Sequence, residues 1–266
     1  MDIPYVHGYA PRETQRLADQ AAILRALLHD GVAFPPGSRV LEPGCGTGMQ
    51  TAALLAGNPG IHVTAIDIDA RQLALAGAGL ASASGVELVE ADLLAAPFAP
   101  ASFDHAFVCF LLEHVAQPAA ALAAVRRAVA PGGGIVVIEG DHGSCRFHPE
   151  TAASRAVWEA LSACQRRLGG DPDIGRRLHG LLTSAGFADV TVEPRLVYAD
   201  AGRDALRDGF VRRIIVPMVQ GARDQAIAAQ LVEPAAWEAG IAELLATADG
   251  DGAFCYTFFR ARVRNP

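Results

Sequence analysis

The chain has 266 residues, 51% of them apolar and 19% charged, which is enough to bury a large core and argues against a disordered chain. A formal charge of −7, with no basic tract, excludes a protein built chiefly to grip a nucleic-acid backbone. No apolar run reaches the roughly 18 residues that span a bilayer. Five cysteines without paired C-x-x-C spacing fit neither a disulfide framework nor a zinc site, so a reducing cytoplasm is the expected compartment and no metal is expected. The opening Met1-Asp2-Ile3-Pro4-Tyr5 lacks the charged and apolar regions of a secretion signal.

Leu17, Ala21, Leu24 and Leu28 recur at helical spacing over residues 13–28, and Phe34-Pro35-Pro36-Gly37 ends that segment. Strand patterns then fall at residues 39–42, 62–67, 86–90, 105–110 and 134–139. Helical patterns separate them at 49–56, 70–81 and 119–129, the last stopped by Pro131-Gly132-Gly133-Gly134. This alternation predicts an α/β fold with a doubly wound, mostly parallel sheet covered on both faces. Residues 151–168 and 174–184 read as helices, the second closed by Ala185-Gly186-Phe187. Residues 189–197 alternate like a strand, 203–248 are mostly helical with breaks at Pro217 and Pro234, and 253–263 form an aromatic-rich closing strand. The expected organisation is an N-terminal helical arm or lid (1–37), a nucleotide-binding core (38–199 and 251–266) and a helical cap insertion (200–250).

Val40-Leu41-Glu42-Pro43-Gly44-Cys45-Gly46-Thr47-Gly48 is the most informative stretch, a short apolar strand running into a loop with glycine at every second position. Glycine lets backbone approach a ligand closely, and the helix that follows offers N–H groups. The dinucleotide fingerprint spaces its glycines as G-x-G-x-x-G and has an acidic residue about 20 residues later. Here the spacing is tighter, and Glu42 precedes the loop, where it would repel a pyrophosphate. A cofactor with a cationic amino-acid end suits that carboxylate better, and S-adenosylmethionine (SAM) is one. Asp67, ending the second strand pattern, is placed to accept from ribose hydroxyls, and Asp92, ending the third, from an adenine amino group. Cys45 reads as a small packing residue rather than a nucleophile.

The order of Val-Leu-Glu-Pro-Gly-Cys-Gly-Thr-Gly, Ile66-Asp67-Ile68-Asp69, Glu90-Ala91-Asp92, Phe103-Asp104-His105-Ala106-Phe107 and Pro131-Gly132-Gly133 resembles class I SAM-dependent methyltransferases. The likeness covers roughly residues 38–140, and Ser184-Ala185-Gly186-Phe187 with the closing strand extends it. It implies a seven-stranded, Rossmann-like sheet with an antiparallel last strand and SAM at the carboxyl ends of the strands. The cofactor-facing residues it implies are Glu42, Gly44, Cys45, Gly46, Gly48, Asp67, Ile68, Asp92, Leu93 and Phe110. A leading segment folded over SAM as a lid would bring Tyr9, Arg12 or Arg16 to the methionyl carboxylate, and Tyr5 or His7 to the acceptor.

Methyl transfer from a sulfonium asks the protein to position a nucleophile and, for a thiol, phenol or acid, to take its proton. Candidates are Glu113, beside His114 after the fourth strand, and Asp141 with His142 in the loop expected after the fifth. An acid beside a histidine raises its basicity and orients its ring. Phe110-Leu111-Leu112-Glu113 stands where adenine and glutamine N-methylating enzymes carry Asn-Pro-Pro-Tyr, which weakens DNA and protein-amide acceptors. The leading expectation is an enzyme methylating a thiol or hydroxyl of a small metabolite, acting on neither nucleic acid nor membrane, as monomer or homodimer. N- or C-methylation of a small molecule is the alternative within that class. A NAD-dependent oxidoreductase and a non-catalytic SAM-binding protein are the alternatives outside it.

Overall fold

The computed structural model describes residues 5–95 and 97–266; Met1–Pro4 of the opening segment lie outside them. In chain order the elements are α1 (Pro11–His29), β1 (Arg39–Pro43), α2 (Met49–Gly57), β2 (His62–Asp67), α3 (Ala70–Gly79), β3 (Val86–Glu90), β4 (His105–Cys109), α4 (Pro118–Ala128), β5 (Gly134–His148), α5 (Ala152–Arg167), α6 (Leu178–Ser184), β6 (Ala188–Ala199), α7 (Asp204–Asp208), α8 (Val216–Gly221), α9 (Arg223–Ala228), α10 (Pro234–Ala246) and β7 (Ala253–Arg264). A π-helical stretch, Gly209–Ile215, joins α7 to α8. Local chemistry sets several starts. The Asp69 side chain caps α3, Pro118 opens α4 at a position that needs no N–H, and Thr151 with Ser154 forms a capping box on α5.

The strands form one seven-stranded sheet in the order β3-β2-β1-β4-β5-β7-β6. β1 pairs parallel with β2 and β4, β2 with β3, and β4 with β5. β7 runs against β6, since Thr191 meets Arg262 while Glu193 meets Arg260 and Asp189 meets Arg264. The sheet is therefore mixed, as expected. On the edge strand β6, Pro194 removes a ladder donor, a common way to blunt an open edge.

The chain divides into two compact units. One comprises Arg25–Gly140, Asp173–Arg195 and Phe258–Pro266. Its core gathers Leu41, Ile66, Ala106, Val108, Leu122 and Val137 from the strands and α4, with Leu178, Leu182 and Phe187 from the α6 region. The other comprises Met1–Leu24, Asp141–Pro172 and Leu196–Thr257. Aromatic packing dominates it. Phe147 stacks on Phe254 at 5.5 Å, and Phe254 meets Trp158 and Phe210 edge-on at 6.1 and 5.6 Å.

One element departs from its sequence reading in a way that bears on chemistry. The fifth strand runs on to His148 instead of stopping at Glu139, so Asp141 and His142 stand in a strand, not in a loop. Gly140 and Gly143 hid this extension, because glycine weakens a strand pattern. The helix expected over 174–184 is a 3₁₀ turn, Ile174–Arg177, followed by α6.

Candidate functional site

The carboxyl ends of β1 to β5 carry the residues that the glycine loop led us to. β1 is buried from Val40 onward and delivers Glu42 and Pro43 to the loop. Gly44 and Cys45 both donate to Ile66 O, at 2.7 and 3.0 Å, which ties the loop to β2. Gly44 has φ +72°, and a Cβ there would lie 2.7 Å from Leu111 Cδ1. The positive φ favours glycine here, and any larger residue would push the Leu111 side chain aside. Gly46 has φ +52° and faces open space, which leaves its backbone approachable. Gly48 begins α2 without a side-chain cap, so the first amides of that helix remain available to a ligand.

Three carboxylates stand at or just past the ends of β1, β2 and β3. Glu42 is 2% exposed, and among the described residues its Oε2 has no hydrogen-bond partner. Burial pushes its carboxyl up to about 8, with the Thr51 hydroxyl pulling weakly the other way. Asp67 accepts Gly46 N on Oδ2 at 2.8 Å and Asp69 N on Oδ1 at 2.9 Å. Its burial raises the carboxyl from the usual range, and those two amides oppose the rise. Asp92 is exposed and caps the 3₁₀ turn Leu93–Ala95 by accepting Leu94 N at 2.8 Å. Ile68, 50% exposed after β2, and Leu94, 43% exposed after β3, offer apolar surface beside these acids. Leu93 itself is half-buried. Cys45 is buried, and burial followed by the charges of Glu42 and Asp67 raises its thiol far above the ordinary value, which removes it as a nucleophile.

The turn after β4 holds two more candidates. Phe110 adopts φ +55°, rare for a non-glycine residue, and its ring lies 5.7 Å from that of Phe258. Glu113 is buried, with Oε1 3.6 Å from His114 Nε2. Sequence reasoning missed Glu139. Fully buried at the end of the apolar run of β5, it accepts three consecutive amides, from Leu111 at 3.1 Å, Leu112 at 2.7 Å and Glu113 at 3.3 Å. Burial and the neighbouring Glu113 hold its carboxyl well above the usual range, against the pull of the three amides. The available signal was a lone acid closing Ile135-Val136-Val137-Ile138.

The remaining candidates belong to the other unit. His142 is buried and shares a hydrogen bond of 2.7 Å between its Nδ1 and the Tyr256 hydroxyl, while its carbonyl accepts Trp158 Nε1 at 3.0 Å. Asp141 is buried beside it, and its carbonyl accepts the Ser144 hydroxyl at 2.7 Å. Tyr5 donates to Glu13 Oε1 at 3.1 Å and packs against the rings of His7 and Tyr9 at 5.1 and 5.6 Å. His7 donates through Nδ1 to Met218 O at 3.2 Å. Arg16 is buried and grips Glu13 with two bonds, Nε to Oε2 at 2.7 Å and Nη2 to Oε1 at 2.6 Å, while Nη1 reaches Gln20. Tyr256 was not anticipated; its place in an alternating aromatic strand reads as core. Among the described residues, no cluster of three or more His, Cys, Asp or Glu could hold a metal ion, and no helix is long and apolar enough to cross a membrane.

Residues 41–137, from β1 into β5, match the family model described as a methyltransferase domain. That stretch is similar to SAM-dependent methyltransferases. A Streptomyces fradiae relative described as an uncharacterised 37.1 kDa protein in transposon TN4556 is 34% identical over 186 residues, covering 69% of this chain and 53% of the relative. The demethylmenaquinone methyltransferase of Renibacterium salmoninarum is 34% identical over 149 residues, 56% of this chain and 60% of the relative. The chain thus spans little more than half the length of these curated relatives. Haemonchus contortus phosphoethanolamine N-methyltransferase 2, solved with SAM, shares the fold at a TM-score of 0.58 and 16% identity, covering 96% of this chain and 57% of that one.

The residues at these strand ends fit SAM on their own chemistry. A buried carboxylate oxygen without a partner, beside an approachable Gly46, calls for a cation rather than a phosphate. Asp67 and Asp92 offer acceptors at successive strand ends, and Ile68 and Leu94 supply apolar surface for a base.

Proposed function

We propose that this chain transfers the methyl group of SAM to a small organic acceptor, with a thiol or hydroxyl as the preferred nucleophile. The buried Glu42 carboxyl at the start of the glycine loop, whose Oε2 has no hydrogen-bond partner among the described residues, carries this reading, because it suits an ammonium and disfavours a pyrophosphate. In this reading Glu42 and the Gly44–Gly48 loop hold the amino-acid end of the cofactor, Asp67 the ribose, and Asp92 with Ile68, Leu93 and Leu94 the adenine. When bound, SAM supplies a methyl group already on a good leaving group, which leaves positioning and proton removal to the protein. Glu113, buried on the turn after β4, is the base offered by the cofactor-binding unit. The other candidates for proton removal, Asp141 and His142, and those for acceptor recognition, Tyr5 and His7, belong to the other unit, where His142 pairs with Tyr256. Demethylmenaquinone, the acceptor in the name of the R. salmoninarum relative, belongs to the same broad class of small organic molecules.

The test is calorimetry with SAM, its demethylated product S-adenosylhomocysteine (SAH) and NAD, followed by labelled SAM against a panel of thiols, phenols and carboxylates. Binding of SAM and SAH with turnover on a panel member is expected. Binding of NAD but not SAM would end the proposal, and SAM binding with no turnover on any acceptor would favour a non-catalytic role.

A further inference from the structure

We infer that Glu139 is a positioning residue, holding the turn after β4 against the glycine loop and setting the place of Glu113. Three successive amides, those of Leu111, Leu112 and Glu113, converge on one fully buried carboxylate. Burying a carboxylate is costly unless its oxygens are satisfied. The four residues before Glu139 are all aliphatic, so a fifth would continue the strand without that cost. The bonds therefore do something that packing alone does not, and the turn shows what. It begins at Phe110, whose φ of +55° a phenylalanine does not adopt by local preference. It then brings Leu111 so close to Gly44 that a Cβ there would stand 2.7 Å from Leu111 Cδ1. A shift of the turn would move Leu111 relative to the loop proposed to hold the cofactor, and would move Glu113 with it. Cys109 lies among the same acids, its thiol raised far above the ordinary value by burial and by the charges of Glu139, Glu42 and Glu113. Among the described residues, backbone amides and no cation answer Glu139.

The inference rests on the cofactor assignment proposed above, and its test separates the two. Amide hydrogen exchange at residues 111–113 is measured by NMR without ligand, in the wild type and in Glu139→Gln and Glu139→Leu, alongside SAH affinity by calorimetry. Loss of about one net hydrogen bond should speed exchange at these amides roughly tenfold relative to β4 and weaken SAH by a similar factor. Glu139→Asp, which keeps the carboxyl group, should recover part of both. Unchanged exchange in a folded Glu139→Leu variant, which has no acceptor left, would overturn the inference, and so would faster exchange with unchanged SAH affinity. If neither neutral variant folds, the wild type decides: amides at 111–113 exchanging as fast as an exposed turn would overturn it. A wild-type chain that binds neither SAM nor SAH would end the proposed function, and the exchange arm alone would then judge Glu139.

Discussion

Asp67 Oδ2 accepts the amide of Gly46 at 2.8 Å. The last residue of β2 thereby fixes the middle glycine of a loop that leaves β1, 21 positions earlier in the chain. One carboxylate shapes the loop and, through its exposed part, remains an acceptor at the same strand end.

Asp67→Ala should therefore act on stability and binding together. Two backbone donors, Gly46 N and Asp69 N, lose their acceptor. The expected cost is about 1–3 kcal/mol, the range for partly buried donors left unsatisfied. Urea denaturation would measure it, and calorimetry should show SAH binding weakened at least about tenfold, one hydrogen bond's worth or more. Intact SAH affinity would remove Asp67 from the ribose role.

Gly44→Ala and Gly46→Ala should separate fold from ligand. Both residues have positive φ, so both alanines cost roughly 1 kcal/mol in backbone strain. At Gly44 the new methyl also collides with Leu111, whereas at Gly46 it enters open space. Gly44→Ala should lower the melting temperature more, and Gly46→Ala should lower SAH affinity more than its modest stability loss explains. Equal stability losses would contradict the packing at Leu111.

How much of this was legible before the fold was known follows from the physics of each signal. The glycine loop, Asp67 and Asp92 were legible because strand ends and turn residues leave local marks, and five parallel-type strands separated by helices allow few topologies. Glu139 was not, because its partners are amides of another element and nothing in its neighbours' side chains announces them. Arg16 reads as an available cation beside Glu13, and only packing shows it sealed against that acid. The extension of β5 through Asp141 and His142 was hidden by its glycines, since its pairing depends on neighbours distant in sequence.

Glu42 should give the ligand-free protein a recognisable pH dependence. Its carboxyl is raised from 4.5 to about 8 by burial, so the folded state holds this proton more tightly than the unfolded chain. The stability it contributes is then full below about 4.5, declines as pH rises, and is lost as pH passes about 8. Each unit of displacement is on the order of 1.4 kcal/mol. Glu42→Gln should flatten that slope in melting experiments from pH 5 to 8 and stabilise the free protein at pH 8. It should also weaken SAH, because the oxygen offered to an ammonium is gone. In the wild type, cation binding near pH 7 should expel the proton, so the calorimetric enthalpy of SAH should vary with the buffer's ionisation enthalpy. A slope unaltered by Glu42→Gln would place the titration elsewhere.

Arg16 and Glu13 form a buried two-bond pair, with Tyr5 on the same carboxylate and Gln20 on the same guanidinium. Burial works against the Arg16 charge, but the hydrogen bonds and charge of Glu13 more than offset it, so the guanidinium is held above its ordinary value. Removing one partner strands the other charge in the interior, which costs roughly 3–5 kcal/mol. Arg16→Met and Glu13→Leu should each destabilise strongly in chemical denaturation, while the double variant should lose much less than their sum. Arg16→Lys, which keeps the charge but not the two-bond geometry, should fall between. Because the guanidinium is already engaged by Glu13 and Gln20, SAH affinity in a folded Arg16→Lys protein should change by less than about threefold, under one kcal/mol. A larger loss of affinity than of stability would instead assign Arg16 to the methionyl carboxylate and make the Glu13 pair the resting state of a cofactor-binding arginine.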